Sequence, residues 1–265
     1  MKTVLITGVA GGMGYETTKR LLADGMQVWG LDIHAPEHCE GLHFLPTDLT
    51  DAAAVEQAFE TLRTAGVTLD GIVHMAGMYE LDSLVEMDEA AWDRVFQVNL
   101  YAAFRVNRCF LPLLSGGARI VLTTSELAPL DPLPFTGIYA ITKSALDKYA
   151  ASLRMELQLL GHPVIVLRPG AVATQMLGVS TSRLQTFCDK TTHYTCNAER
   201  FREIVERVEA RSIPPQRVAA LVSKILHAKH PRPVYKINRN PLLLLLNALP
   251  LRWQCAIIRW ILKTA

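Results

Sequence analysis

No acidic residue follows Glu209 in this 265-residue chain, although ten Lys and Arg do. Up to Glu209 the balance is reversed, with 17 basic against 25 acidic groups, so the net charge of +2 conceals two unlike regions. An acid-free end predicts contact with something anionic: a lipid surface, an acidic subunit face or nucleic acid, weighed against a merely solvated cationic face. Cysteine is scarce. Five residues (Cys39, Cys109, Cys188, Cys196, Cys255), odd in number and irregularly spaced, exclude a disulfide framework and point to a reducing compartment. The opening "MKTVLITG" lacks the long apolar core of a signal peptide, so a cytoplasmic location is expected.

Chemical signatures are missing as well. No GxSxG, GxxxxGK[ST] or HExxH occurs, which removes support for hydrolase, phosphoryl-transfer and zincin readings. Cys188, His193 and Cys196 lie within nine residues but lack a fourth ligand at conventional spacing, and Pro36 breaks any helix that would align His34, His38 and Cys39. No metal is expected. A membrane span needs about 20 predominantly apolar residues. The greasy tail from Asn240 to Ala265 is interrupted by Asn247, Pro250, Arg252, Gln254 and Arg259.

What the chain does have is hydrophobic content of 50%, enough to bury a full core, and a regular alternation. The apolar runs "TVLIT", "QVWGLD", "HFLPTD", "DGIVHMAG", "ARIVLTTS" and "PVIVLRPG" read as strands, each followed by a segment of helical period. Such repetition predicts right-handed crossovers and a doubly wound α/β fold, a parallel sheet with helices on both faces. Ligands in such sheets bind beyond the carboxyl ends of the strands, and those ends are polar or glycine-rich here. One domain is expected over residues 1–240, with a helical extension over 241–265.

Between the first strand and its helix, "TGVAGGMG" runs from Thr7 through Gly8, Gly12 and Met13 to Gly14. Glycines there let the backbone turn and approach a pyrophosphate, while a helix N-terminus offers free N–H groups. The second strand ends at Asp32, whose carboxylate can accept from an adenosine ribose and repel a 2′-phosphate. With no Lys or Arg in the loop or directly after Asp32, NAD is expected over NADP. "YAITK" places Tyr139 and Lys143 on one helix face, where a cation would lower the phenol's pKa and make it a usable acid–base group.

Ser125 closes "RIVLTTS", and Tyr139 follows fourteen residues later. With TGxxxGxG, this order resembles the short-chain dehydrogenase/reductase family. "DLT" (Asp48 to Thr50), "HMAG" (His74 to Gly77), "VNL" with Asn99 and "RPGAVAT" (Arg168 to Thr174) extend the likeness from Lys2 to about Thr174. The resemblance implies a Rossmann fold and an enzyme acting on CH–OH groups. It implies Tyr139 as general acid or base, Lys143 as its electrostatic partner and holder of the nicotinamide ribose, Ser125 on the substrate oxygen, and Asn99 in a proton relay through water. Cofactor contacts are implied at Thr7, Gly8, Gly12, Met13, Gly14, Asp32, Asp48, Leu49, Ala76, Gly77, Tyr139, Lys143, Pro169, Gly170 and Thr174. "HMAG" departs from the family's Asn-Asn-Ala-Gly, which puts the contacts of both lost amides in question. A hydrogen-bonded strand-end role is favoured for His74 over a catalytic one.

Residues 175–214 occupy the family's lid position. Their first half mixes Met176, Leu177, Leu184, Phe187 and Tyr194 with Ser and Thr, suiting a cover over a bulky apolar substrate. The second half, from Ala198 to Ala210, reads as a solvated helix. The expected substrate is a hydrophobic secondary alcohol or ketone, steroid- or retinoid-like, and the expected assembly a homo-oligomer. A dinucleotide-sensing or scaffolding protein on the same fold is the rival reading. The chain is too short for the extended epimerase branch. As a helix from Leu251, the tail gathers Arg252, Arg259 and Lys263 on one stripe, which suits packing on the fold, on a subunit or peripherally on a membrane, and it reads as the far end of a substrate-side wall. Nucleic acid is not an expected partner.

Overall fold

The computed structural model describes residues 1–209 and 211–263, with side chains except at 175–182, 196, 199 and 206–209. In chain order the elements are β1 (Thr3–Thr7), α1 (Gly12–Ala23), β2 (Gln27–Asp32), β3 (Leu42–Pro46), α2 (Ala52–Thr64), β4 (Leu69–His74), α3 (Glu89–Phe96) and α4 (Ala102–Phe110). There follow β5 (Leu114–Thr123), α5 (Gly137–Leu157), β6 (Val164–Pro169), α6 (Gln175–Lys190), α7 (Thr195–Glu209), α8 (Pro215–His227), β7 (Val234–Ile237), α9 (Pro241–Asn247) and α10 (Leu251–Leu262).

Seven parallel strands run in the order β3-β2-β1-β4-β5-β6-β7. The order reverses between β1 and β4, which is where a doubly wound sheet opens its ligand crevice. Alternation along β1 explains the two helical layers. Val4 and Ile6 pack towards α1 and α8 with Leu21, Val218 and Val222, whereas Leu5 packs towards α2 and α4 with Val55, Leu62 and Phe110. Being buried on both faces is why these strands read as continuous apolar runs.

The fold departs from expectation in three places. The edge strand β7 was not anticipated. Its four residues pair only with β6 and follow a Pro- and basic-rich approach, so no alternating pattern announces it. The stretch from Ala198 is not a solvated helix throughout: Ala198 and Phe201 are buried against Leu184, Phe187 and Phe135. Arg200 and Glu203 pair at the surface, but the opposite stripe closes a satellite core; Ala210, with the side chains of Met176, Leu177, Cys196, Glu199, Glu206, Arg207 and Glu209, lies outside the described residues. Finally, the tail is two helices, with Pro250 standing at the N-cap of α10.

Two of the residues that interrupt the greasy tail, Asn247 and Gln254, are its fasteners. Asn247 Oδ1 accepts from Asp131 N (2.6 Å), and buried Gln254 donates to Asp131 Oδ2 and to the Leu249 carbonyl (both 3.0 Å). Asn240 N donates to Glu126 Oε2 (2.7 Å), and Asn197 donates to the Leu262 carbonyl (2.7 Å). The extension is thus strapped across the carboxyl end of the sheet, with Ile258 and Leu262 packed on the lid helices. Among the described residues no helix is long and apolar enough to cross a membrane.

Candidate active site

Helix α5 begins at Gly137, so Tyr139 and Lys143 occupy its first two turns and project over the end of β5. The helix is pinned by a two-pronged ion pair: Arg168 of β6 donates to Asp147 Oδ1 (2.9 Å) and Oδ2 (2.6 Å). Ser125 is buried two residues beyond β5 and hydrogen-bonded to Tyr139. Lys143 Nζ donates to the Thr123 carbonyl (3.2 Å) and stands 5.8 Å from the Tyr139 ring centroid. Tyr79 packs against the same ring, with centroids 4.7 Å apart.

Electrostatics here differ from the simple picture of a cation beside a phenol. Burial pushes the Tyr139 hydroxyl up to about 12; the Ser125 bond works against this, and the Glu126 charge adds to it. Burial also lowers Lys143 to about 8. Burial is the largest influence on both groups, and with its hydroxyl held up to about 12 the Tyr139 phenol carries its proton at neutral pH.

Asn99 sits on a wide π-type turn (Gln97–Tyr101), a distortion that often marks functional positions. Its carboxamide is engaged on both sides: Oδ1 accepts from Met78 N (2.8 Å), and Nδ2 donates to the Met78 carbonyl and to Thr142 Oγ1 (both 3.0 Å). It clamps the chain after β4 against α5. A Cβ placed on Gly77 would come within 3.2 Å of Lys143 Nζ and 3.4 Å of Asn99 Oδ1, so this backbone runs directly beside the amine and the carboxamide.

The glycine loop suits a dinucleotide. A Cβ on Gly14 would sit 1.9 Å from the Gly8 carbonyl oxygen, and one on Gly12 would sit 2.7 Å from the Thr174 side chain. Only side-chain-free residues let the loop fold so tightly beneath the β6 loop. The first turn of α1 has no side-chain cap, which leaves its N–H groups for an anion. Asp32 accepts from Ala10 N (2.9 Å) and His34 N (3.3 Å), fixing its carboxylate between the loop and the exit of β2. The residues present therefore fit NAD(P).

One cavity of about 560 Å³ joins Met13, Gly77, Ser125, Tyr139, Lys143, Pro169, Gly170 and Thr174. The other residues expected at the cofactor lie outside it. Thr7 holds the end of β4, its Oγ1 accepting from Ala76 N (3.3 Å). Exposed Asp48 turns its Oδ1 onto Thr50 (2.8 and 2.7 Å), and the Leu49 side chain belongs to the apolar core. The opposite wall is formed by Leu242, Leu243, Leu245, Leu246 and Leu249 of the extension, in keeping with its reading as a substrate-side wall; what sequence reasoning missed is Glu126, Tyr79 and Leu133 beside it.

The two lost amides of "HMAG" are replaced by other contacts. Buried His74 Nε2 meets Asn107 Oδ1 at 2.8 Å, and Asn107 donates to the Tyr149 hydroxyl (3.1 Å). Met75 Sδ accepts from Thr123 Oγ1 (3.2 Å), joining β4 to β5. His74 is thus a hydrogen-bonded strand-end residue facing away from the cavity's reactive groups. Among the described residues no three His, Cys, Asp or Glu gather as a metal site.

A parallel sheet with its crevice at the switch point and a Ser-Tyr-Lys cluster above it defines a nucleotide-dependent oxidoreductase of the Rossmann type. The chain belongs to the short chain dehydrogenase family, whose model matches residues 2–185. It is accordingly an NAD(P)-dependent enzyme acting on CH–OH groups. It is 24% identical over 252 residues to a 3-ketodihydrosphingosine reductase of Bacteroides thetaiotaomicron, covering 94% of this chain and 92% of that one. It is 30% identical over 191 residues to the Mus musculus estradiol 17-beta-dehydrogenase 2, covering 67% and 50%. Among solved structures, a Burkholderia cenocepacia short chain dehydrogenase in complex with NADP superposes with a TM-score of 0.72 at 25% identity, covering 89% of this chain and 96% of that one.

Proposed function

We propose that the protein interconverts a hydrophobic secondary alcohol and its ketone, with NAD as the preferred cofactor. The observation that carries this is the composition of the cavity, in which the Ser125–Tyr139–Lys143 cluster forms one polar end and the leucines of the extension form the opposite wall. A nicotinamide bound beside Tyr139 and Lys143 would supply or accept the hydride. Ser125 would hold the substrate oxygen. Tyr139 would deliver its proton to that oxygen in reduction and take it back in oxidation. Lys143 would hold the nicotinamide ribose, and Asn99 would align a water that links Lys143 to solvent. The lid and the strap would exclude bulk water from the reacting atoms.

Two relatives are named for hydrophobic compounds, a ketodihydrosphingosine and estradiol, which supports an apolar substrate and widens the class beyond steroid- or retinoid-like rings to long chains. A panel of steroid, retinoid and long-chain alcohols, followed by NADH absorbance, tests the reading. Turnover should favour the bulky apolar members; exclusive use of small polar alcohols would overturn it.

The preference for NAD rests on Asp32, and on Ile33 and His34 standing where a 2′-phosphate would need Lys or Arg. Asp32→Ala should narrow the ratio of kcat/KM with NAD to that with NADP by about tenfold or more, since hydrogen bonds to a charged group contribute about 1.5–3 kcal/mol. An unchanged ratio would remove the assignment. We place the enzyme in the cytoplasm as a homo-oligomer. The exposed side chains of Tyr101, Phe104, Met155 and Leu159 offer a face to a second copy, and the extension is left free to lie peripherally on a membrane.

A further inference from the structure

We propose that the outer face of α9 and α10 docks on an anionic lipid bilayer and that the cavity opens onto that surface. The surface is argued on its own features; only the direction of substrate entry rests on the function proposed above.

Leu242, Leu245 and Ile261 line the cavity and are nevertheless 63%, 65% and 36% exposed, so the mouth is rimmed by apolar side chains that water touches. Beside the mouth, Trp253 and Trp260 are 63% and 80% exposed. Seven residues apart on α10, they share one face. A contiguous patch of this kind, unlike scattered single residues, marks an interaction surface. Tryptophan suits the boundary between headgroups and acyl chains, being apolar in body and polar at one edge.

Charge selects the partner. Arg252, Arg259 and Lys263 form the stripe next to the tryptophans, and exposed Arg239 stands just before α9. Among the described residues none of the four forms a close ion pair, although the Arg239 charge is felt at Glu126. A second copy seated on this face by a two-fold axis would bring cations against cations, because the stretch after Glu209 supplies no acid. Anionic headgroups meet the same four charges favourably. At 12 residues α10 rises about 18 Å, too short to cross the bilayer core of about 30 Å. It therefore lies in the interface, with the basic stripe reaching to the headgroups and the mouth turned to the acyl region.

Flotation of the full-length protein with vesicles tests this. Recovery should be high with phosphatidylcholine mixed with phosphatidylserine, low with phosphatidylcholine alone, and reduced by added salt. The paired variant Trp253→Ser/Trp260→Ser and the paired variant Arg252→Glu/Arg259→Glu should each lower recovery about tenfold or more. Both alter exposed positions outside the cavity lining, so turnover of a short, water-soluble ketone should stay unchanged and report an intact fold. Equal recovery with both vesicle types, or variants that float like the parent, would overturn the proposal. So would a variant that converts a dimer to a monomer in sedimentation equilibrium without affecting flotation, which would give the face to a second copy. Vesicle binding without turnover of any apolar alcohol would leave the docking surface standing and remove the substrate reading; turnover without binding would do the reverse.

Discussion

Replacing Tyr139 with Phe is expected to lower kcat by about 10²–10⁴-fold while changing cofactor affinity far less, because the substitution deletes only the proton-carrying hydroxyl and leaves the other cofactor contacts in place. The ring packs on Tyr79, and a phenyl group preserves that contact, so folding is not at stake. NADH fluorescence titration and single-turnover kinetics read the two quantities separately. Retained turnover would remove Tyr139 from the chemistry. The pH behaviour follows from the same site. With the hydroxyl held up to about 12, the resting protein presents a protonated phenol at neutral pH, which is the form that ketone reduction consumes. Alcohol oxidation needs the opposite form and should rise in kcat/KM as pH increases from 7 towards 10. Reduction should stay level until Lys143, lowered to about 8, loses its charge, and then decline. The two groups act on one proton path, so the observed values belong to the pair.

Much of this site was legible because its chemistry is local in sequence. Tyr139 and Lys143 are four apart on one helix, and the glycine loop is a single turn between β1 and α1, so spacing alone brings their atoms together. The environment of those atoms was not legible. Whether Lys143 lowers the Tyr139 pKa depends on how deeply both are buried, and that is set by Tyr79, the lid and the strap, up to about 120 residues away. The tail shows the same limit from the other side. Asn247 and Gln254 look in sequence like interruptions of an apolar run, and only the position of Asp131 turns them into anchors. Likewise Ala198 and Phe201 sit among charges in the chain, and the apolar stripe becomes visible only when α6 lies against it.

At His74 the departure from the family pattern carries a measurable cost in acid. Burial holds its imidazole down to about 4 from an ordinary 6.5, and the bond to Asn107 offsets this only in part. The folded chain therefore refuses a proton that the unfolded chain takes up. Above pH 6.5 neither state binds it and the contribution to stability is fully present; as pH falls towards 4 it is progressively lost, by about 3 kcal/mol in all. Between pH 7 and pH 5 the loss from this residue alone should be about 2 kcal/mol, a large part of a typical folding free energy. His74→Asn supplies the amide expected at this position, which can still bond Asn107 and does not titrate. Urea unfolding of both proteins at the two pH values isolates the effect, since all other titrating groups are shared. The parent should lose about 2 kcal/mol more than the variant. Parallel losses would mean that the imidazole takes its proton in the folded chain, which requires water to reach the end of β4; the His74–Asn107–Tyr149 chain would then be an open polar channel and not a sealed tie between the sheet and α4 and α5.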